Sequence, residues 1–256
     1  MSRMSMSFGR APRVARALFH EYGRACLIFW GILLAIVALL FVTRATALPE
    51  GLSDDVWGSA VRSSSRIFLL VIGILATTAS LPVYVAHGVT RREYVAGAGL
   101  FAVLVGALFA VVVLAGYLIQ WAIGFGQVVV RDPAPVLVFY ELLAPWVHEG
   151  RYFTEQPLPL LALHEALLFA VWYLTGALIG AGFYRHVAAG LLTIPLAAAW
   201  MLAAESAGGE TLAQIFAWAM PAAHLASTAL QLGMALAGWL VTYGILRQVA
   251  IRSSQG

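Results

Sequence analysis

Apolar residues in this chain gather into long runs divided by short polar stretches. A helix that crosses about 30 Å of hydrocarbon, rising about 1.5 Å per residue, needs roughly 20 mainly apolar residues. Six runs qualify, approximately Ala25 to Thr43, Ile67 to Ala86, Val95 to Ile123, Ala166 to Tyr184, Ala188 to Ala204 and Leu225 to Leu246. The third is long enough to tilt or project from the bilayer, and the fifth is short at its polar end. The expected fold is an all-α integral membrane protein, one transmembrane domain over residues 1–256, with six spans, an N-terminal interfacial helix and short outer helices.

Six spans put both termini on one side, and the arginines choose the side. Arg3, Arg10, Arg13, Arg16, Arg24, Arg91, Arg92, Arg185, Arg247 and Arg252 fall on the side of the termini. Arg44, Arg62, Arg66, Arg131 and Arg151 fall on the other, with most of the acids. The positive-inside tendency makes the first side cytoplasmic, which predicts a multi-pass protein of a bacterial-type plasma (inner) membrane.

Residues 12–24 read as an amphipathic helix. At about 100° per residue Arg13, Arg16, His20 and Arg24 share one side, and Ala15, Leu18, Phe19 and Tyr22 share the other. Such a helix lies in the interface with its arginines near anionic lipid; the plainer reading is a basic flank that fixes orientation. Ala45-Thr46-Ala47 after an apolar run resembles a signal-peptide cleavage site, but the run of 19 residues exceeds the usual roughly 7 to 15 and Arg44 intervenes. An uncleaved first span is expected.

On the outer side, residues 124–159 are too long and too mixed for a simple turn. Val136 to Val147 is apolar and aromatic yet only about half the spanning length, which suits a surface or bundle-capping segment. A second such piece, residues 208–224, includes an apolar Thr211 to Met220, is halted by Pro221 and ends at His224. It reads as an outer re-entrant segment, tolerated where protein or a wet cavity covers its backbone. No repeat of 20 to 50 residues stands out.

Composition narrows the chemistry. With 62% hydrophobic and 11% charged residues, the chain departs from the roughly 25% charge of a soluble domain. All fifteen basic residues are arginine, so the lysine of a phosphate-binding loop is missing. The single cysteine, Cys26, cannot form an internal disulfide. The arginines are scattered between apolar runs, which argues against nucleic acid as a partner.

The six predicted cores contain no acid, histidine or arginine, so a proton or ion relay has little to work with. Gln120, Gln231 and hydroxyls such as Thr77, Thr78, Ser80, Thr175, Thr193, Ser227, Thr228 and Thr242 are their most polar groups. His164 and Glu165, at the entrance to the fourth span, form no HExxH motif because position 168 is Leu168, and interfacial anchoring is their expected role. His87, His186 and His224 sit singly at span ends. His148 with Glu149 is a weak metal candidate, and no metal site is expected. Gly176 and Gly180 form GxxxG, expected to serve internal packing rather than a dedicated dimer face. No nucleophile and base stand at workable spacing, so a catalytic site is not expected.

The loop between the second and third spans, His87-Gly88-Val89-Thr90-Arg91-Arg92-Glu93-Tyr94, is about eight residues long and places three charges in consecutive positions. Topology alone would explain its arginines. Yet the cytoplasmic parts are small, about 24 residues at the start, loops of about eight and three, and a tail of about ten, so no energy-converting domain fits. A motor would have to be another chain, and a short helix with exposed arginines suits docking.

With its basic helix before the first span, the stretch HGVTRREYVAG, six spans and a broken outer segment before the sixth, the chain resembles the membrane (permease) subunit of a type-two ABC exporter. The residue-level likeness is confined to Gly88 through Tyr94. It implies a coupling helix, residues 87–94, in which Gly88, Arg91, Arg92, Glu93 and Tyr94 meet a cytoplasmic ATPase subunit carrying ATP and Mg. It also implies a second permease chain, identical or related, paired around the substrate path in a dimer. The outer loops are longer than that pattern, and no EAA-type importer loop is present.

The expected function is therefore a permease that exports an apolar or amphipathic compound, with no cofactor bound by this chain and ATP hydrolysed by the partner. The alternatives are an ATP-independent secondary carrier or channel, and a non-transporting membrane assembly or immunity subunit.

Overall fold

A computed structural model describes residues 10–47, 56–122, 128–131, 134–137, 156–208 and 220–247. Its helices are α1 (Ala11–Ala47), α2 (Val56–Leu75), α3 (Leu81–Ala86), α4 (Arg91–Ala122), α5 (Leu158–Arg185), α6 (Val187–Gly208) and α7 (Met220–Arg247). A π-helical turn, Ala76–Ser80, joins α2 to α3. Among the described residues five helices are long and apolar enough to cross a membrane, within Ala11–Thr43, Ala60–Ala86, Arg91–Ile119, Ala162–Arg185 and Thr228–Arg247. Where six spans were expected, α6 contributes a shorter apolar piece, Val187–Met201, and carries Pro195.

The hub is α5, which packs on α2, α4, α6 and α7. Its most apolar stretch is 78% buried, against 11% for that of α1. A helix enclosed on all sides must let its neighbours come close, and small side chains permit that. A Cβ on Gly176 would strike the Leu70 carbonyl oxygen, and one on Gly73 would strike the Tyr173 carbonyl oxygen. Gly180 faces Ile74 and Thr77 of the same segment. The GxxxG pair therefore seats α5 on α2 inside one chain, as its internal-packing reading expected.

Indole N–H groups fasten α4 to its neighbours. Trp57 Nε1 donates to the Val113 carbonyl at 2.9 Å, and Trp239 Nε1 donates to the Val95 carbonyl at 3.0 Å. Phe29, Phe68 and Phe109 stack between α1, α2 and α4, with Phe29 and Phe68 centroids 4.2 Å apart. Leu27, Ile28, Ile32, Leu39 and Val42 of α1, and Leu191 and Leu192 of α6, point outward. In a membrane these surfaces have hydrocarbon as their solvent.

Two expectations are corrected here. The interfacial helix of residues 12–24 is the first third of α1, which at 37 residues measures about 55 Å. Arg13, Arg16, His20 and Arg24 are exposed, while Val14, Leu18 and Tyr22 are buried. Val14 sits against Gly97, and Phe19 packs edge-on to Phe101 at 4.7 Å. Protein rather than lipid covers that apolar face, because α4 lies beside it and α1 runs unbroken through Gly23 and Arg24 into the apolar run.

The second correction concerns the start of the supposed surface segment. Val136 and Leu137 of the supposed surface segment are the end of strand β2 (Ala134–Leu137), which pairs antiparallel with β1 (Val128–Arg131) and with β3 (Gln156–Pro157). β-branched VVVR opposite APVL suits a pleated ladder, and the run was too short to show its period. The remainder of that segment, 138–147, and His148 and Glu149 lie outside the described residues. Of the supposed re-entrant piece, residues 208–224, the structure describes only the ends: Gly208 closes α6, and Pro221 and His224 belong to the first turns of α7, which continues unbroken to Arg247. Proline is tolerated there because first-turn N–H groups have no intrahelical acceptor. Residues 209–219 lie outside the described residues.

Both ends of the described chain meet at one end of the bundle. Arg91, at the start of α4, donates from Nη1 to the Leu246 carbonyl near the end of α7 at 3.2 Å. Arg10, just before α1, stands 3.9 Å from Glu93. This arginine-rich end and the opposite end carry different polar machinery.

Candidate functional site

At the arginine-rich end the chain turns from α3 to α4 in four residues, 87–90, and no separate coupling helix exists among the described residues. The turn is built from two capping devices back to back. Gly88 has φ +80°, its N–H donates to the Val85 carbonyl at 3.0 Å, and the Val89 N–H donates to the Tyr84 carbonyl at 3.0 Å. That is a Schellman closure of α3, which favours glycine at the left-handed position. Thr90 and Glu93 then form a capping box: the Glu93 N–H donates to Thr90 Oγ1 at 3.2 Å, and the Thr90 N–H donates to Glu93 Oε2 at 3.0 Å. The pattern Thr-x-x-Glu before an apolar run was visible in the sequence.

The five expected coupling residues thus have different fates. Gly88 and Glu93 are accounted for by capping. Tyr94 is 1% exposed, and its hydroxyl donates to the Ala76 carbonyl at the π-helical turn. Its role in meeting a partner directly is corrected, because it faces the bundle interior. Arg91 is half-buried and spans to α7. Arg92 projects outward. Arg10, 60% exposed, lies beside Glu93, and from it the exposed α1 stripe of Arg13, Arg16, His20 and Arg24 runs along the helix away from this turn. Arg247 ends α7 here, and Arg185 ends α5, which runs antiparallel to α4 as the Phe101–Tyr173 ring contact and the approach of Gly106 to Ala166 require.

Behind this surface runs a polar chain that sequence reading missed. Ser80 Oγ donates to Glu21 Oε1 at 2.6 Å, and since a hydroxyl has one proton, Tyr22 must be the donor in its 2.6 Å bond to Ser80 Oγ. Tyr84 reaches the other Glu21 oxygen at 3.5 Å. The threonine hydroxyls behave otherwise. Thr77, Thr78, Thr175 and Thr242 donate to carbonyls four residues back, and Thr193 three residues back, at 2.7 to 3.1 Å. They are consumed within their own helices.

At the opposite end the structure joins residues that had been assigned to a loop and to an interface. Helix α2 begins at Val56, eleven residues before the expected span, so Arg62 and Arg66 lie one turn apart on a helix packed against α5. Arg62 Nη2 donates to Glu165 Oε1 at 2.6 Å. Arg66, Ser65, Glu165 and His164 are buried. Adjacent residues on α5 point in different directions, so Glu165 meets α2 while His164 meets Gln231 of α7, at 3.5 Å between Nε2 atoms. The anchoring role expected of His164 and Glu165 is corrected: both are enclosed by helices. Arginines four apart on one face, with a His-Glu pair elsewhere, were the available signal.

A buried charge pair of this kind is costly to desolvate and holds its place only when well paired. The described residues contain no group of three or more histidine, cysteine or acidic side chains placed to hold a metal.

Taken together, the long apolar helices, the buried hub and the polar clusters at the bundle ends define a helical, multi-pass membrane protein, to which the described residues add one small three-stranded sheet. Comparison with protein-family models, with curated proteins and with solved structures finds no match.

Proposed function

We infer that the chain is the permease subunit of an ATP-driven exporter, with its arginine-rich end in the cytoplasm of a bacterial-type inner membrane. The observation that carries the reading is Arg92, exposed at the tip of a four-residue turn that is capped on both sides and tied through Arg91 to α7. A rigidly held cation at a helix junction transmits a push to the helices it joins, whereas a cation on a loose loop yields. The α1 arginines enlarge the basic face. A soluble ATPase with an acidic groove fits that chemistry, and it would carry ATP and Mg. Two permease chains would pair around the path, and closure of paired ATPases would shift the population toward the outward-open state.

Replacing Arg92 and Arg13 by Glu tests this reading, because neither makes a structural bond described above. Loss of the co-purifying ATPase with unchanged membrane insertion is the expected result. Retention of the ATPase and of flux in the double variant refutes the docking role.

A second reading rests on a different observation. Ionisable groups enclosed by membrane helices are functional candidates in their own right, and Arg62–Glu165 supplies such a pair at one end of the bundle, while at the other the exposed Glu21 carboxylate reaches the buried Ser80 and Tyr22 hydroxyls. An ATP-independent carrier would use them. Proton-gradient-driven flux by the purified chain in liposomes, insensitive to ATP, would establish that reading in place of the first.

A further inference from the structure

We propose that Arg16, His20 and Arg24 of α1 line the path of the permease and take the anionic head of an amphipathic substrate. The proposal rests on the permease reading and adds to it the charge of what is carried.

Contacts between α1 and α4 fix the depth of these residues. The two helices run parallel: Val14 sits against Gly97, Phe19 packs on Phe101 at 4.7 Å, and Trp30 meets Phe109 at 5.1 Å. His20 and Arg24 therefore stand level with residues 100–104. Phe101 lies about 15 Å along α4 from Arg91, half the thickness of a hydrocarbon layer of about 30 Å. The 2.6 Å bond from Tyr22 to Ser80, inside the second apolar run, gives a similar depth. In the sequence Arg24 stands at the mouth of the first apolar run; packing carries it down beside the third.

At that level two sides of the bundle present opposite surfaces. On α4, Val103 is 60% exposed and Leu104 46%, which suits hydrocarbon. On α1, Arg16, His20 and Arg24 are exposed. A charged side chain at membrane depth is costly in hydrocarbon and faces protein or a water-filled cavity instead. The basic side of the bundle thus opens on a wet path, while the α4 side meets lipid.

The chain does not neutralise this charge. Among the described residues Arg16, His20 and Arg24 make no ion pair. Glu21, the only acid of α1, is turned aside: its Oε1 accepts from Ser80 at 2.6 Å and its Oε2 from Tyr84 at 3.5 Å. Guanidiniums bind phosphate, sulfonate or carboxylate through paired N–H donors. One turn deeper than Arg24, Leu27 and Ile28 are 75% and 63% exposed, an apolar seat for a tail. An anionic head with an apolar tail matches that order of surfaces.

The test uses the full chain with Cys26→Ala in phosphatidylcholine proteoliposomes. Arg16→Cys, His20→Cys and Arg24→Cys are introduced one at a time, with Leu100→Cys and Val103→Cys on α4 as controls at the same depth. Each thiol is reacted with water-soluble methanethiosulfonates that carry either a sulfonate or a trimethylammonium. The thiolate is the reacting form and apolar surroundings suppress it, so the α1 positions should react at least about tenfold faster than the controls. The sulfonate should outpace the ammonium, and Arg16→Gln with Arg24→Gln should cancel that preference at His20→Cys. Decyl phosphate should slow the reaction at His20→Cys, and decyltrimethylammonium should not.

Slow reaction at all five positions overturns the proposal, because no wet face exists. Fast reaction at all five overturns it too, since this depth then lies outside the hydrocarbon. Equal rates for the two reagents, without protection by decyl phosphate, leave a wet face with no anion site. Protection by added phosphatidylglycerol equal to that by decyl phosphate makes the stripe a lipid site and overturns the substrate assignment. The permease reading is decided separately, by the Arg92 and Arg13 variants.

Discussion

Glu165 on α5 accepts a 2.6 Å hydrogen bond from Arg62 on α2, across 103 positions of sequence. The bond joins the central helix to its most intimate neighbour at the end where Trp57 also fastens α2 to α4. Breaking a buried pair by removing one partner leaves the other charge uncompensated. Arg62→Ala should therefore lower stability by roughly 3 to 5 kcal/mol, read as a reduced unfolding temperature in detergent. Loss of the pair by Arg62→Met with Glu165→Leu should cost much less. Equal damage from the single and the paired replacements would show that the charges do not depend on one another.

The contact between Gly176 and the Leu70 carbonyl allows no side chain. Gly176→Ala must push α5 from α2, and overpacking of this sort costs about 1 to 3 kcal/mol. Gly233, with open space at its Cβ position, should accept alanine without loss and serves as the control. Fluorescence-detected size exclusion after heating would separate the two, and matching profiles would contradict the described seat of α5.

Thr90→Ala removes the hydroxyl that receives the Glu93 N–H and should cost about 1 kcal/mol. Gly88→Ala forces a side chain into the left-handed region and should cost roughly 1 to 2 kcal/mol. Arg92→Glu should leave the unfolding temperature unchanged. If partner binding falls in Thr90→Ala to the same degree as in Arg92→Glu while the melting curves stay alike, the division between capping and docking residues is wrong.

Tyr94→Phe deletes one buried hydrogen bond to the Ala76 carbonyl, which also accepts the Leu81 N–H across the π-helical turn. The expected loss is about 1 kcal/mol. Hydrogen exchange at Leu81 should quicken in the variant, and unchanged protection there would mean the turn holds without the tyrosine.

Much of the architecture was legible in the chain because burial in hydrocarbon is a local demand. Each span must satisfy its own backbone bonds and present apolar side chains over about 20 residues, so run length alone marks most of the helices. The capping of the α3–α4 turn was also written locally, in Gly88 and in Thr90 with Glu93, even though those same residues resembled a coupling motif.

What hydropathy could not settle was which polar residues lie beyond the ends of the runs and which are carried inside by neighbours. The Arg62 to Arg66 stretch reads as loop by composition, but α2 starts at Val56 and holds it against α5. His164 and Glu165 read as anchors until α2 and α7 close over them from two sides. The amphipathic start of α1 pairs with Gly97 and Phe101, some eighty positions away, rather than with lipid. Sequence by itself determined that this is a greasy helical bundle and where its turns must cap. Only the tertiary structure decided which charges meet, because a side chain's environment is set by the helices packed beside it, and those come from distant parts of the chain.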